Sequence, residues 1–249
     1  MISSFRQCVQ TCIFSGGLEE MPGQITLDTE FGKELRALAS NPRYTVFVEV
    51  GTWNGEGSTL CLAEGMMDRK DANLISLETN YTQWALAKKF WADRQHAFKL
   101  HLLHGRLGDR IMTDKEVLEH PLFERIKEHY ALHYTQDVAD FKASRRVHLR
   151  ACDVVLLDGG EFSSYSDWKA VEGLSPRIVA LDDVNVLKNA EVLKELLEAG
   201  WKLIWKTEER NGAAILERPE RPQEPQESPA PPSSHTPAEQ EEGQSRSAQ

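Results

Sequence analysis

Apolar positions along this chain fall into two alternating kinds of segment. Val46 to Val50, Ala72 to Leu77, Phe98 to His104, Asp153 to Leu157 and Arg177 to Leu181 are short, nearly continuous apolar runs. Their length suits strands, and their lack of alternation predicts burial on both faces of a sheet. Between them the apolar residues recur at helical spacing. Gln24 to Ser40 places Ile25, Phe31, Leu35 and Leu38 mostly on one side, and Leu60 to Met67 and Tyr81 to Arg94 follow the first two strands. Leu187 to Ala199 aligns Val192, Leu193, Leu196 and Leu197, with Gly200 as its stop. Trp201 to Lys206 and Gly212 to Glu217 then flank a polar stretch ending in Asn211-Gly212, which predicts a closing hairpin.

Three segments depart from that alternation. Residues 1–23 read as an irregular extension. Arg106 to Arg150 is a long insertion in which Val117, Leu118, Leu122, Ile126 and Tyr130 keep helical spacing, with Pro121 expected to kink or divide it. Beyond Arg218, seven prolines among Ser, Gln and Glu leave too few apolar residues to offset the entropy of ordering, so 219–249 is expected to be disordered. The folded unit is therefore expected over 24–218, an α/β domain with a helical insertion at 106–150.

Charge and cysteine usage narrow the function classes. The chain has 249 residues and a net charge of -10; seven Glu and three Arg from Glu217 onward leave the body near -6. A broad phosphate-binding surface is not expected of such a chain, so nucleic acid is not expected as its main substrate and a small molecule is expected instead. Cys8, Cys12, Cys61 and Cys152 form neither a disulfide framework nor a zinc spacing, which fits a reduced, cytoplasmic setting. Gln10 and Thr11 interrupt the apolar N-terminal stretch, so no cleaved signal is expected, and no run approaches the roughly 20 apolar residues of a membrane span.

The candidate chemistry begins where the first strand ends. Glu49-Val50-Gly51-Thr52-Trp53-Asn54-Gly55-Glu56-Gly57-Ser58 is a strand end, a glycine-spaced turn and a helix start. Glycines there let a flat ligand approach the backbone, and the free N–H groups of the helix start, with Ser58 or Thr59 as cap, favour an anionic group. A dinucleotide fingerprint would need glycine where Trp53 and Glu56 stand, which disfavours a nicotinamide-dependent oxidoreductase. Glu78, at the end of the second strand, lies at the distance from the turn where a carboxylate accepts ribose hydroxyls. Asp158 ends the fourth strand, and Asp182 with Asp183 ends the fifth. Neighbouring strands would bring these three carboxylates together, and such a cluster needs a cation, with Mg²⁺ the natural partner.

The pattern E-x-G-x-x-x-G-x-G-S resembles the first motif of class I S-adenosylmethionine-dependent methyltransferases. The resemblance implies a three-layer Rossmann-like fold, with a mostly parallel seven-stranded sheet closed by an antiparallel C-terminal hairpin. It implies S-adenosylmethionine as cofactor, held by Glu49, Gly51, Thr52, Trp53, Gly55, Gly57, Ser58, Glu78, Arg106, Asp158 and Gly159. Glu49 would lie near the amino-acid end of the ligand, and Arg106 would border its adenine or the substrate. Asp158-Gly159-Gly160-Glu161 and Leu181-Asp182-Asp183-Val184-Asn185 further resemble the paired metal-ligand segments of cation-dependent O-methyltransferases, of the catechol O-methyltransferase type and the cephalosporin-hydroxylase-like and sugar O-methyltransferases. That implies methyl transfer to an oxygen of a small molecule, assisted by a divalent cation at Asp158, Asp182 and Asp183. Where the relatives carry lysine or histidine, this chain has Glu161, open to three readings: general base beside Asp158, fourth metal ligand, or solvated carboxylate.

Other residues stay open at this stage. Trp53 and Trp84 suit either adenine stacking or packing. Asn185, Lys188 and Asn189 either touch substrate or start a helix. Phe123, Tyr130, His133, Tyr134 and Phe141 suit either a lid over the acceptor or packed helix faces. His101, His104, His129, His133 and His148 lack metal-binding spacing and read as ordinary histidines. A catalytically silent S-adenosylmethionine-binding sensor or partner module is the alternative to the enzyme.

Overall fold

The structure is a computed structural model that describes residues 24–219. The expectations for 1–23, for Cys8 and Cys12, and for 220–249 fall outside the described residues. The elements run α1 (Glu30–Ser40), β1 (Val46–Val50), α2 (Ser58–Met66), β2 (Asn73–Glu78), α3 (Tyr81–Trp91) and β3 (Lys99–Arg106). The second half continues α4 (Asp114–Leu118), α5 (Phe123–Ile126), α6 (Tyr130–Ala143), β4 (Arg145–Arg146), β5 (Val154–Leu157), α7 (Ser164–Glu172), β6 (Ile178–Asp182), α8 (Leu187–Glu198), β7 (Lys202–Thr207) and β8 (Ala213–Glu217).

The sheet has the order β4-β3-β2-β1-β5-β6-β8-β7. Strands β1 to β6 run parallel, and β8 pairs antiparallel with both β6 and β7. This is the mostly parallel α/β sheet with a C-terminal antiparallel hairpin, with one strand more than the expected seven. The extra strand is β4, two exposed arginines paired with Gly105 and Arg106. Two polar residues carry no apolar periodicity, so the sequence pattern had nothing to mark them.

Alternation along the strands feeds two apolar layers. Phe47, Leu74, Val154, Leu156, Ile178 and Ala180 face Phe31, Leu35, Cys61, Leu62, Met66 and Trp91 of α1 to α3. Val48, Val50, Leu77, Val155, Leu157, Val179 and Leu181 face Trp168, Val171, Val192 and Leu196 of α7 and α8. The central strands are buried on both sides, as their unbroken apolar runs require. β1 lies between β2 and β5, so the crossovers leave it in opposite directions and open a crevice at its C-terminal end.

One helix starts later than expected, and another is not marked by the sequence pattern. α1 begins at Glu30 because Thr29 accepts from Gly32 N–H as its cap, leaving 24–29 as turn. α7 carries no clear apolar stripe, since it buries Ser164 and Asp167 along with Trp168 and Val171. In the insertion, Pro121 separates α4 from α5 as expected. No helix among the described residues is long and apolar enough to cross a membrane.

Candidate active site

The tip of β1 is set by hydrogen bonds before any ligand is considered. Leu77 O accepts from Gly51 N–H at 2.9 Å and from Thr52 N–H at 3.1 Å, tying the turn to β2. Gly51 has φ +101°, and a Cβ there would lie 2.1 Å from Asp158 O, so only glycine lets the β1 and β5 tips meet. Trp53 N–H donates to Glu78 Oε2 at 2.7 Å and Asn80 N–H to Oε1 at 2.8 Å. Glu78 is thereby aimed across the crevice, and burial pushes its carboxyl up to about 7.

Glu49 lies behind the turn, engaged by side-chain hydroxyls. It is fully buried; Oε1 accepts from Ser58 Oγ at 2.6 Å, and Oε2 from Thr59 Oγ1 at 2.7 Å and Ser76 Oγ at 2.5 Å. Burial raises its pKa while these three hydroxyls pull it down. Ser58 and Thr59 therefore do not cap α2, whose N-cap is Gly57 with no side-chain bond. Glu49 fastens the start of α2 to β1 and β2 from behind the cavity wall.

A cavity of about 620 Å³ occupies the crevice. Gly51, Thr52, Trp53, Gly57, Ser58, Glu78, Asp158 and Gly159, all named from the sequence, line it. Leu132, His133, Gln136, Asp137 and Asp140 of α6 form a facing wall. Gly55 and Arg106 are not brought to it. Gly55 O accepts from Trp91 Nε1 at 3.1 Å, and a Cβ on Gly55 would meet that indole at 2.8 Å. Arg106 donates to Ser144 O and lies 4.2 Å from the Phe141 ring centroid, so its guanidinium braces α6 against β3. Trp84 donates to Leu102 O and packs with Tyr81 and His104. Phe123, Tyr130 and Tyr134 pack around Phe162, Val117 and Leu187, which leaves His133, of the residues considered for a lid, at the cavity.

At its other end the cavity reaches the acidic cluster. Carboxylate oxygens of Asp158, Asp182 and Asp183 lie within 4.8 Å of one another, the convergence expected from neighbouring β5 and β6. The offsetting charge is already in the chain. Lys188 Nζ is 2.6 Å from Asp158 Oδ1 and 3.1 Å from Asp183 Oδ2. Arg210 Nη2 is 3.5 Å from Asp182 and 3.6 Å from Asp183, and Asn211 Nδ2 donates to Asp183 Oδ1 at 3.1 Å. Asp183 adopts φ +55°, an uncommon conformation for a non-glycine residue, held by these three partners.

The electrostatics follow from burial and proximity. Burial, reinforced by Asp158, pushes Asp182 up to about 7, and burial raises Asp158 against the pull of Lys188. Burial would also raise Asp183, but Lys188, Asn211 and Arg210 together hold it below the ordinary value. Lys188 is itself buried, yet the three carboxylates hold its pKa well above the usual lysine value, so it stays charged. Burial pushes Glu161 up to about 7, but its Oε1 is buried without a hydrogen-bond partner, and the side chain does not line the cavity. Asp158 lines the cavity and Glu161 does not; within the acidic cluster, Asp182 is the cavity-lining carboxylate with a comparable pKa.

Lys188 stays open on the sequence alone, and Arg210 and the α6 acids carry no mark there. One signal for Lys188 was present: a lysine in the first turn of a helix opposes the helix dipole, so it needs nearby anions. Arg210 sits in the β7–β8 turn, and nothing in its local pattern marks its reach to β6.

No protein-family model matches the chain, and no curated protein sequence matches it significantly. Similar solved structures include a Staphylococcus aureus protein assigned by name to the caffeoyl-CoA O-methyltransferases, at 16% identity and TM-score 0.48, covering 87% of this chain and 92% of that one. A Geobacter sulfurreducens methyltransferase has 12% identity and TM-score 0.48, covering 87% of each chain. The O-methyltransferase from Bacillus cereus, in complex with SAH, has 15% identity and TM-score 0.45, covering 75% of this chain and 80% of its own.

Proposed function

We propose that the protein transfers a methyl group from S-adenosylmethionine to an oxygen of a small molecule. The observation that carries this reading is one cavity with two unlike ends at the switch point of the sheet. One end has the glycine turn and Glu78; the other has Asp158, Asp182, Asp183 and Lys188. The first end fits a nucleoside, because Gly51, Gly57 and Gly159 leave backbone close to the ligand and Glu78 offers its carboxylate to a ribose diol.

When bound, S-adenosylmethionine supplies an already activated methyl. The chain's own residues then have to orient the acceptor, take its proton and exclude water. A hydroxyl can accept from the Lys188 ammonium while donating to a carboxylate, which an ammonium-bearing acceptor cannot do; this favours oxygen over amine. Lys188 stabilises the developing oxyanion. Asp182, with a pKa of about 7, is matched to receive the hydroxyl proton near neutral pH. The C–S bond to the methyl breaks as the C–O bond forms, leaving a methyl ether, S-adenosylhomocysteine and a proton on Asp182. α6 walls the cavity, and Leu132 to Asp140 are the side chains on which acceptor selectivity would depend.

A divalent cation forms no part of this reading. The three carboxylates are the right ligand type for Mg²⁺, but Lys188 and Arg210 already engage them. Thermal stabilisation tests the reading: S-adenosylmethionine at 100 times its Kd should stabilise the protein by about 2.7 kcal/mol, and NAD should not. A shift with NAD and none with S-adenosylmethionine would overturn it.

A further inference from the structure

We infer that Lys188 is a built-in cation standing where a divalent metal would bind, so that this acidic centre works without metal and Lys188 positions the acceptor oxygen. The positioning role rests on the proposed methyl transfer; the exclusion of metal does not. The ammonium bridges Asp158 Oδ1 and Asp183 Oδ2, at 2.6 and 3.1 Å. An ion binding both oxygens at about 2.1 Å would lie in contact with that ammonium, a like-charge encounter in a poorly solvated site.

Lys188 has no easy way out. Its neighbour Asn189 is fully buried and donates to Leu157 O at 2.9 Å and Asp182 O at 2.6 Å, while accepting from Ser164. The first turn of α8 is thus pinned to the tips of β5 and β6 and to α7, and the Lys188 side chain is 8% exposed. Swinging it aside would leave three clustered carboxylates with Arg210, at 3.5 Å or more, as their nearest cation. Two of its three ammonium hydrogens are used by Asp158 and Asp183, and Lys188 lines the cavity, so the third is placed for an acceptor oxygen.

Mn²⁺ titration of the full chain at pH 8, followed by the electron paramagnetic resonance signal of the free ion, tests the inference. The native protein should show no stoichiometric site. Lys188→Met should gain one, with affinity tightened on the order of 100-fold or more, as removal of a cation a few Å from the site requires. Lys188→Met with Asp182→Asn should lose it again. Stoichiometric Mn²⁺ binding by the native protein that Asp182→Asn abolishes would overturn the inference without any need for the lysine variant to fold. So would a folded Lys188→Met that gains no site. S-adenosylmethionine stabilisation of the same native sample, with and without EDTA, separates the two claims. Loss of stabilisation in EDTA overturns the metal-free centre. No stabilisation in either buffer, with no Mn²⁺ bound, leaves the counter-ion standing and removes the methyl donor.

Discussion

Glu78, Asp182 and Glu161 share a condition that makes them measurable: each is a buried carboxyl pushed up to about 7. In the unfolded chain such groups titrate near 4, so between about pH 4 and pH 7 the folded state keeps protons that the unfolded state has lost. Stability from these groups is therefore fully present below the unfolded pKa and is lost as pH rises through 7. Thermal unfolding of the ligand-free protein should show Tm falling from pH 5.5 to pH 8. Glu161→Gln should flatten that slope and raise stability at pH 8 by about 2 kcal/mol, because it removes a buried charge facing Asp183 and Asp137. An unchanged slope would mean that Glu161 is solvated after all. Glu78→Gln makes a different prediction. It should weaken S-adenosylmethionine about 10- to 100-fold by calorimetry, the loss of a charge-assisted pair of hydrogen bonds to a ribose.

Elements differ in how openly the sequence declares them, and the difference is physical. β1 with its glycine turn, β5, β6 and the β7–β8 hairpin are legible because burial on both faces demands unbroken apolar runs and tight turns demand glycine. α7 is not, because its inward face mixes polar with apolar partners: beside Trp168 and Val171, Asp167 Oδ1 accepts from Leu107 and Gly108 N–H at 3.1 and 2.7 Å. The carboxylates of the site were legible as strand-end residues. Their counter-ions were not, since Lys188 and Arg210 come from separate elements that meet only in the fold. Asn189 is the joint between these elements. Asn189→Ala should cost about 2 to 3 kcal/mol by leaving Leu157 O and Asp182 O without their donor, and the loss should be read by denaturant unfolding. At the β1 tip, Gly51→Ala should destabilise by more than a surface substitution and abolish S-adenosylmethionine binding, because its Cβ would collide with Asp158 O.

Across the whole molecule the distribution of charge sets what the cavity admits. Glu78, Asp137, Asp140, Asp158, Asp167, Asp182 and Asp183 line it, against the two cations Lys188 and Arg210, within a chain of net charge -10. Walls of one sign in a crevice focus the field on a ligand between them. A phosphorylated or otherwise polyanionic acceptor would meet repulsion at both ends, whereas a neutral polyol or phenol would not. The same field separates the methyl donor from its product, which differ by the sulfonium charge. At pH 8, S-adenosylmethionine should bind about 10-fold more tightly than S-adenosylhomocysteine, a difference of about 1.4 kcal/mol. Raising the ionic strength from about 0.01 M to about 1 M shortens the Debye length from about 30 Å to about 3 Å, so the ratio should shrink towards unity as the more exposed acids are screened. Calorimetric titrations of both ligands at the two ionic strengths measure it. A ratio below one at low salt would mean that Lys188 and Arg210 dominate the potential at the sulfonium, which would place the methyl nearer the cations than the α6 acids.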